Sequence, residues 1–186
     1  MSKITKRALA AVLKKTMEKK PLSRITVTEL TEECGINRHT FYYHFKDLYD
    51  LVEWVYNDEL EQEMEKNGRS RTWKETLRSF FSYALENKGF ILGVFEAMQK
   101  ETFLNMMLRY NIHVAETALK EEQPDICLMP DRWKFVVDFY ACAFRGILML
   151  WIGDGMKQDP EEIIAMLGAI VHEDGRNVLL RVADVE

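Results

Sequence analysis

The sequence predicts an all-α protein, a small N-terminal helical domain followed by a larger helical one, on three observations. Apolar residues recur at three- and four-residue intervals almost from end to end. Helix-start and helix-stop residues fall at the ends of those runs, and no segment reads as a strand, an internal repeat or a low-complexity tract. A chain of 186 residues, 47% apolar and 30% charged, can bury a core without disulfides or metals.

The first helix carries Ile4, Ala8, Leu9, Val12, Leu13 and Met17 on one face and ends before Pro21. Thr26-Val27-Thr28-Glu29 is a capping box that opens a short second helix, which Gly35 stops by supplying a left-handed residue. Asn37 caps a third helix whose Phe41 and Phe45, four apart, face the core with Ile36. A fourth starts near Asp47 and runs through Leu48, Leu51, Val52, Val55 and Leu60 towards "KNGRSR", the expected domain junction.

Beyond the junction, Trp73, Leu77, Phe80, Phe81, Ala84 and Leu85 form an amphipathic helix ending at "NKG", followed by a short apolar segment, "FILGVFEAM". The helix at about 101–121 has two stripes: Leu104, Met107, Leu108, Val114, Ala115 and Ala118, and Phe103, Met106, Tyr110 and His113. Asp131 is expected to cap a long apolar helix that ends at Gly153-Asp154-Gly155. Asp159-Pro160-Glu161-Glu162 opens another, with cap, proline and acids in favoured places, carrying Ile163, Ile164, Met166, Leu167, Ile170 and Val171.

The net charge of −5 hides an asymmetry. Residues 1–46 hold ten Lys/Arg against four acids, net +6, whereas the other 140 hold 15 bases against 26 acids, net −11. Such a split points to a polyanion partner for the first quarter alone. Cys34, Cys127 and Cys142 lack disulfide or zinc spacing and read as reduced core residues. The N-terminus scatters lysines through its apolar positions and is no signal peptide, so a cytoplasmic protein is expected. Residues 135–152 are apolar enough to suggest a membrane span, but Asp138 and Arg145 each cost roughly 2.5–3.5 kcal/mol at a bilayer centre, which favours a buried helix and no membrane.

Two short helices around a glycine turn, the second opening on a polar cap, make a helix-turn-helix, whose second helix enters the DNA major groove. With Phe41 and Phe45 inward, Arg38, His39, Tyr42 and Tyr43 point outward. Arg38 suits bidentate pairing with guanine, and Thr40 a thymine contact. The tyrosine hydroxyls suit phosphates, and His39 and His44 can donate to bases or phosphates. Thr26, Thr28 and Lys46 add phosphate contacts, and Asn37, at the head of the reading helix, is expected among the DNA-binding residues too. The plain alternative is that Tyr42 and Tyr43 merely pack against neighbouring helices.

The segment "ITVTELTEECGINRHTFYYHFKDLYDL" resembles the DNA-binding domain of the TetR family of bacterial transcriptional regulators. Thr26, Val27, Gly35, Thr40, Tyr42, His44, Phe45 and Leu51 fall in the family's register. His39 stands where the family usually has glycine, Leu48 where it has a phosphate-contacting lysine, and Thr31 where it has alanine; Lys46 is close enough to replace the lysine. The segment "FYACAFRGILMLWIGDGMKQDPEEI" is similar to the C-terminal region of the dihydroxyacetone kinase operon regulator-like subgroup.

The resemblance implies a helix-turn-helix DNA-binding domain at 1–46, a connecting helix at 47–66 and a ligand-binding and dimerisation domain at 67–186. It implies a homodimer through helices at about 131–152 and 160–173, reading a palindromic double-stranded DNA operator under control of a small-molecule effector or a protein co-regulator. The implied effector pocket draws on Phe95, Met98, Met106, Tyr110, His113 and Phe139. The ordinary reading of such a histidine is a core residue. No catalytic constellation, metal spacing or cofactor motif is visible, so an enzyme is not expected. The competing reading is a helical protein-interaction module, or a co-regulator with secondary DNA binding.

Overall fold

The computed structural model of the protein describes residues 2–66 and 72–183, and every regular element among them is helical. The elements are α1 (Ser2–Met17), α2 (Val27–Glu33), α3 (Arg38–His44), α4 (Leu48–Lys66), α5 (Trp73–Glu86), α6 (Lys88–Ala97), α7 (Lys100–Glu122), α8 (Pro130–Gly153), α9 (Pro160–Ala169) and α10 (Gly175–Ala183). A 3-10 turn at Leu22–Arg24 precedes α2, and a π-helical turn at Ile170–Asp174 joins α9 to α10. The expected junction at 67–71 lies outside the described residues.

The chain divides into two compact units, Met1–Glu63 with Asn87–Phe103, and Met64–Glu86 with Leu104–Glu186. The first is therefore larger than the expected 1–46 domain. It takes in most of α4, whose Leu51, Val52 and Val55 are completely buried, and α6, which packs on α1 and the 3-10 turn. Ion pairs tie α1 to α4: Lys3 and Arg7 reach Asp58 at 3.2 and 3.1 Å, and Lys14 reaches Glu59 at 2.9 Å. Asp58 is buried, and a carboxylate out of water needs such partners, here with a 2.7 Å hydrogen bond from Gln62 besides.

The second unit is organised by aromatic rings. Trp73 stacks on Phe144 at 6.2 Å, Phe81 meets Trp151 edge-on at 4.8 Å, and Phe80 lies 5.5 Å from Tyr110. Arg78 of α5 grips Glu161 of α9 through two hydrogen bonds, at 2.7 and 2.9 Å. The Trp73 backbone amide donates to Glu121 and its indole to Glu122, which also meets His172 of the π-helical turn at 2.9 Å. After α8 the chain turns through Gly155 and Met156, both at positive φ, and the Trp151 indole donates to the Gln158 carbonyl at 2.9 Å.

Several local expectations need correction. The helix expected to be capped by Asp131 starts two residues earlier: Met129 is the cap, Pro130 takes the first position, where its missing N–H costs nothing, and Asp131 falls in the first turn. "FILGVFEAM" is helical, as most of α6, and a further helix, α10, follows the π turn that interrupts the apolar pattern after Val171. The cysteines are free thiols but not core residues, since Cys34 is half-buried and Cys127 and Cys142 are exposed. Ile4, Leu85, Met166 and Ile170 are exposed rather than core. By length and composition α8 would pass for a membrane span, but it buries Val136, Tyr140, Phe144, Leu148 and Trp151 within the second unit.

Candidate nucleic-acid interface

Local chemistry builds the α2–α3 surface. The Thr26 hydroxyl accepts from the Glu29 amide at 3.2 Å and the Glu29 carboxylate from the Thr26 amide at 3.4 Å, a complete capping box. Lys20 binds the same carboxylate, which holds it below the ordinary carboxylate range. Thr31, where the family pattern has alanine, is accommodated in the core because its hydroxyl donates to the carbonyls of Val27 and Thr28 at 2.9 Å each. Gly35 takes φ +65 and turns the chain into α3.

On α3 the Asn37 side chain accepts from the Thr40 amide at 2.8 Å and from its hydroxyl at 3.1 Å. Phe41 and Phe45 are buried, while Arg38, His39, Tyr42 and Tyr43 are exposed, Tyr43 to 80%. Such a share of an aromatic ring in water is unusual on a helix that does not face a partner. The Arg38 guanidinium lies 5.9 Å from the Tyr42 ring centre and donates to its hydroxyl at 3.5 Å. His44 is half-buried, with its ring against Tyr43 at 5.0 Å. Lys46 is exposed, its backbone amide bound to Asp50 at 2.8 Å, while Leu48 opens α4 half-buried. Thr26 and Thr28 are exposed at the head of α2.

The six effector-pocket residues are not brought together in one unit. Phe95 and Met98 belong to the first unit; Met106, Tyr110, His113 and Phe139 belong to the second. Met106 and Tyr110 are absorbed as core, and the Tyr110 hydroxyl donates to the Thr76 carbonyl at 2.7 Å. His113 and Phe139 are exposed, so neither lines an interior of the chain. The stripe leaves the core at His113, which is therefore not a core residue.

Fold and surface together define a helix-turn-helix protein with a separate helical C-terminal unit. A family model described as the C-terminal region of transcriptional regulators matches residues 71–173, more than half of the chain. The chain belongs to the TetR family of transcriptional regulators. It is 26% identical over 92 residues to the HTH-type dhaKLM operon transcriptional activator DhaS of Lactococcus lactis subsp. lactis, a match covering 50% of this chain and 49% of that protein. The chain thus spans about half the length of the curated relative it matches. Among solved structures, a dihydroxyacetone kinase operon activator DhaS superposes with a TM-score of 0.70 at 20% identity, covering 98% of this chain and 97% of that one. A tetR-family transcriptional regulator from Streptomyces coelicolor gives 0.60 at 16% identity, covering 97% and 88%. At these identities the structural likeness concerns the fold.

Proposed function

We propose that the protein is a dimeric, cytoplasmic regulator that reads a palindromic double-stranded DNA operator with α3 of each copy, under control of a small molecule or a protein co-regulator acting on the rest of the chain. The observation that carries this reading is α3 itself: its apolar face is consumed by the core, and Arg38, His39, Tyr42 and Tyr43 are left in water. Arg38, His39 and Thr40 are the proposed base readers. Thr26, Thr28, Tyr42, Tyr43, His44 and Lys46 are the proposed phosphate contacts.

The dimer reading is supported by one apolar face of the second unit. Phe135, Phe139, Ile147 and Leu150 recur along α8 and are exposed, as are Met166 and Ile170 after it. The four on α8 recur on one side of the helix, more apolar surface than a lone soluble protein usually leaves uncovered, and two-fold dimers are the commonest way to cover it. The relatives described as operon activators favour activation as the mode of control.

Fluorescence anisotropy with duplex taken from upstream of the protein's own gene tests the reading. Binding should prefer that duplex over a scrambled one and weaken steeply with salt. Arg38→Ala should relax the base preference, whereas Lys46→Ala should weaken all sequences alike. Equal binding to both duplexes at moderate salt would sink the proposal.

A further inference from the structure

The ten cations that make residues 1–46 positive divide into three groups. Lys3 and Arg7 pair with Asp58, Lys14 with Glu59, Lys15 with Glu33 and Lys20 with Glu29. Lys6 lies 5.0 Å from the centre of the Phe45 ring and 5.5 Å from that of Trp54, and Arg38 leans on Tyr42. Among the described residues, Lys19, Arg24 and Lys46 have neither an acidic nor an aromatic partner. A paired cation has most of its field cancelled and must leave its carboxylate before it can neutralise a phosphate. An unpaired one displaces a condensed counterion at full effect.

Arg24 is exposed and ends the 3-10 turn, two residues before Thr26, the cap of α2. Two residues of chain span at most ~7 Å, so its guanidinium stays near the head of the helix that crosses the phosphate backbone in this motif. Its planar fork suits two phosphate oxygens at once. Lys19 sits five residues further back, after α1, which leaves Arg24 the unpaired cation nearer to α2 along the chain.

We propose that Arg24 grips a DNA phosphate beside the head of α2, a second anchor to that of Lys46 after α3; this rests on the DNA-reading function proposed above. The measurement is a salt series of anisotropy titrations on the upstream duplex, between about 50 and 200 mM. Arg24→Ala should reduce the slope of log K against log salt by about 0.9 per bound head, about 1.8 for a two-headed complex, and leave the operator preference intact. Arg24→Lys should keep the slope, and Lys15→Gln, which removes a cation already paired with Glu33, should leave it unchanged. Because the Arg24 side chain has no partner among the described residues, circular dichroism of the alanine variant should match the parent. A wild-type slope in Arg24→Ala, or an equal fall in Lys15→Gln, overturns the inference while operator preference persists. Loss of operator preference in the parent protein overturns the DNA-reading proposal as well.

Discussion

Replacing Asn37 by alanine removes the acceptor that holds the first turn of α3, a helix of only seven residues. The place of Asn37 at the head of α3 suggests a DNA contact, yet its side-chain oxygen is already committed to the Thr40 amide at 2.8 Å and the Thr40 hydroxyl at 3.1 Å. Loss of such a cap costs about 0.5–2 kcal/mol, and the second bond, being exposed, adds little. At about 2–4 °C per kcal/mol for a chain of this size, Asn37→Ala should lower the melting temperature by several degrees. Fraying of α3 within the folded protein can weaken operator binding by at most the same free energy, a factor of roughly 2 to 30.

Two companion variants separate capping from contact. Asn37→Gly should cost only a few tenths of a kcal/mol, since glycine is a tolerable cap. Asn37→Asp keeps the acceptor and suits the helix dipole, so stability should hold while a carboxylate facing phosphate weakens binding. Thermal unfolding and anisotropy on all three give the answer. If Asn37→Ala loses affinity with an unchanged melting temperature, Asn37 acts by touching DNA and the capping argument is refuted.

Phe144→Ala should cost about 3–5 kcal/mol in urea unfolding, because the ring is 1% exposed and packed between Trp73 and Tyr140. Gly35→Ala should cost about 1–2 kcal/mol from backbone strain alone, since φ is +65 and, its chain neighbours aside, nothing lies within 4 Å of the added Cβ; Gly35→Asn should cost less. Phe139→Glu with Leu150→Glu should give a monomer in sedimentation equilibrium with an unchanged helical spectrum, because both side chains are more than half exposed in the single chain. Glu121 titrates above the ordinary carboxylate value, mainly through burial and then through Glu122 and Glu75, against the opposing hydrogen bond from the Trp73 amide. A raised acid favours folding below its unfolded pKa and loses that contribution as pH rises through the folded value. Glu121→Gln, which keeps an acceptor for Trp73, should therefore stabilise the protein at pH 7, with the advantage vanishing towards pH 4; an equal effect at both would contradict this.

Much of the helix-turn-helix was legible because its determinants are local. A capping box, a glycine at positive φ and phenylalanines four residues apart act within one or two turns of chain, and each sits where the spacing placed it. The role proposed for Arg24 is not legible in the sequence, because its signal is the absence of a partner. Whether a lysine or arginine is free depends on carboxylates brought from afar, such as Asp58 to Lys3 or Glu33 to Lys15. An apolar stripe on α7 likewise reads alike whether it lines a cavity or fills a core. Tyr110 fills the core because its hydroxyl finds the Thr76 carbonyl, 34 residues away in the chain.

By itself, then, the sequence determined the all-α class, the second helix of the helix-turn-helix with its inward and outward faces, and the charge contrast between the first quarter and the rest. These follow from periodicity, caps and composition, which need only near neighbours. Tertiary structure alone decided that α6 packs with the N-terminal unit, that His113 and Phe139 lie in water, and which cations of the first 46 residues remain unpaired. Each of those outcomes depends on contacts between segments distant in the chain, and a helix's own sequence does not specify which other helix will bury its face.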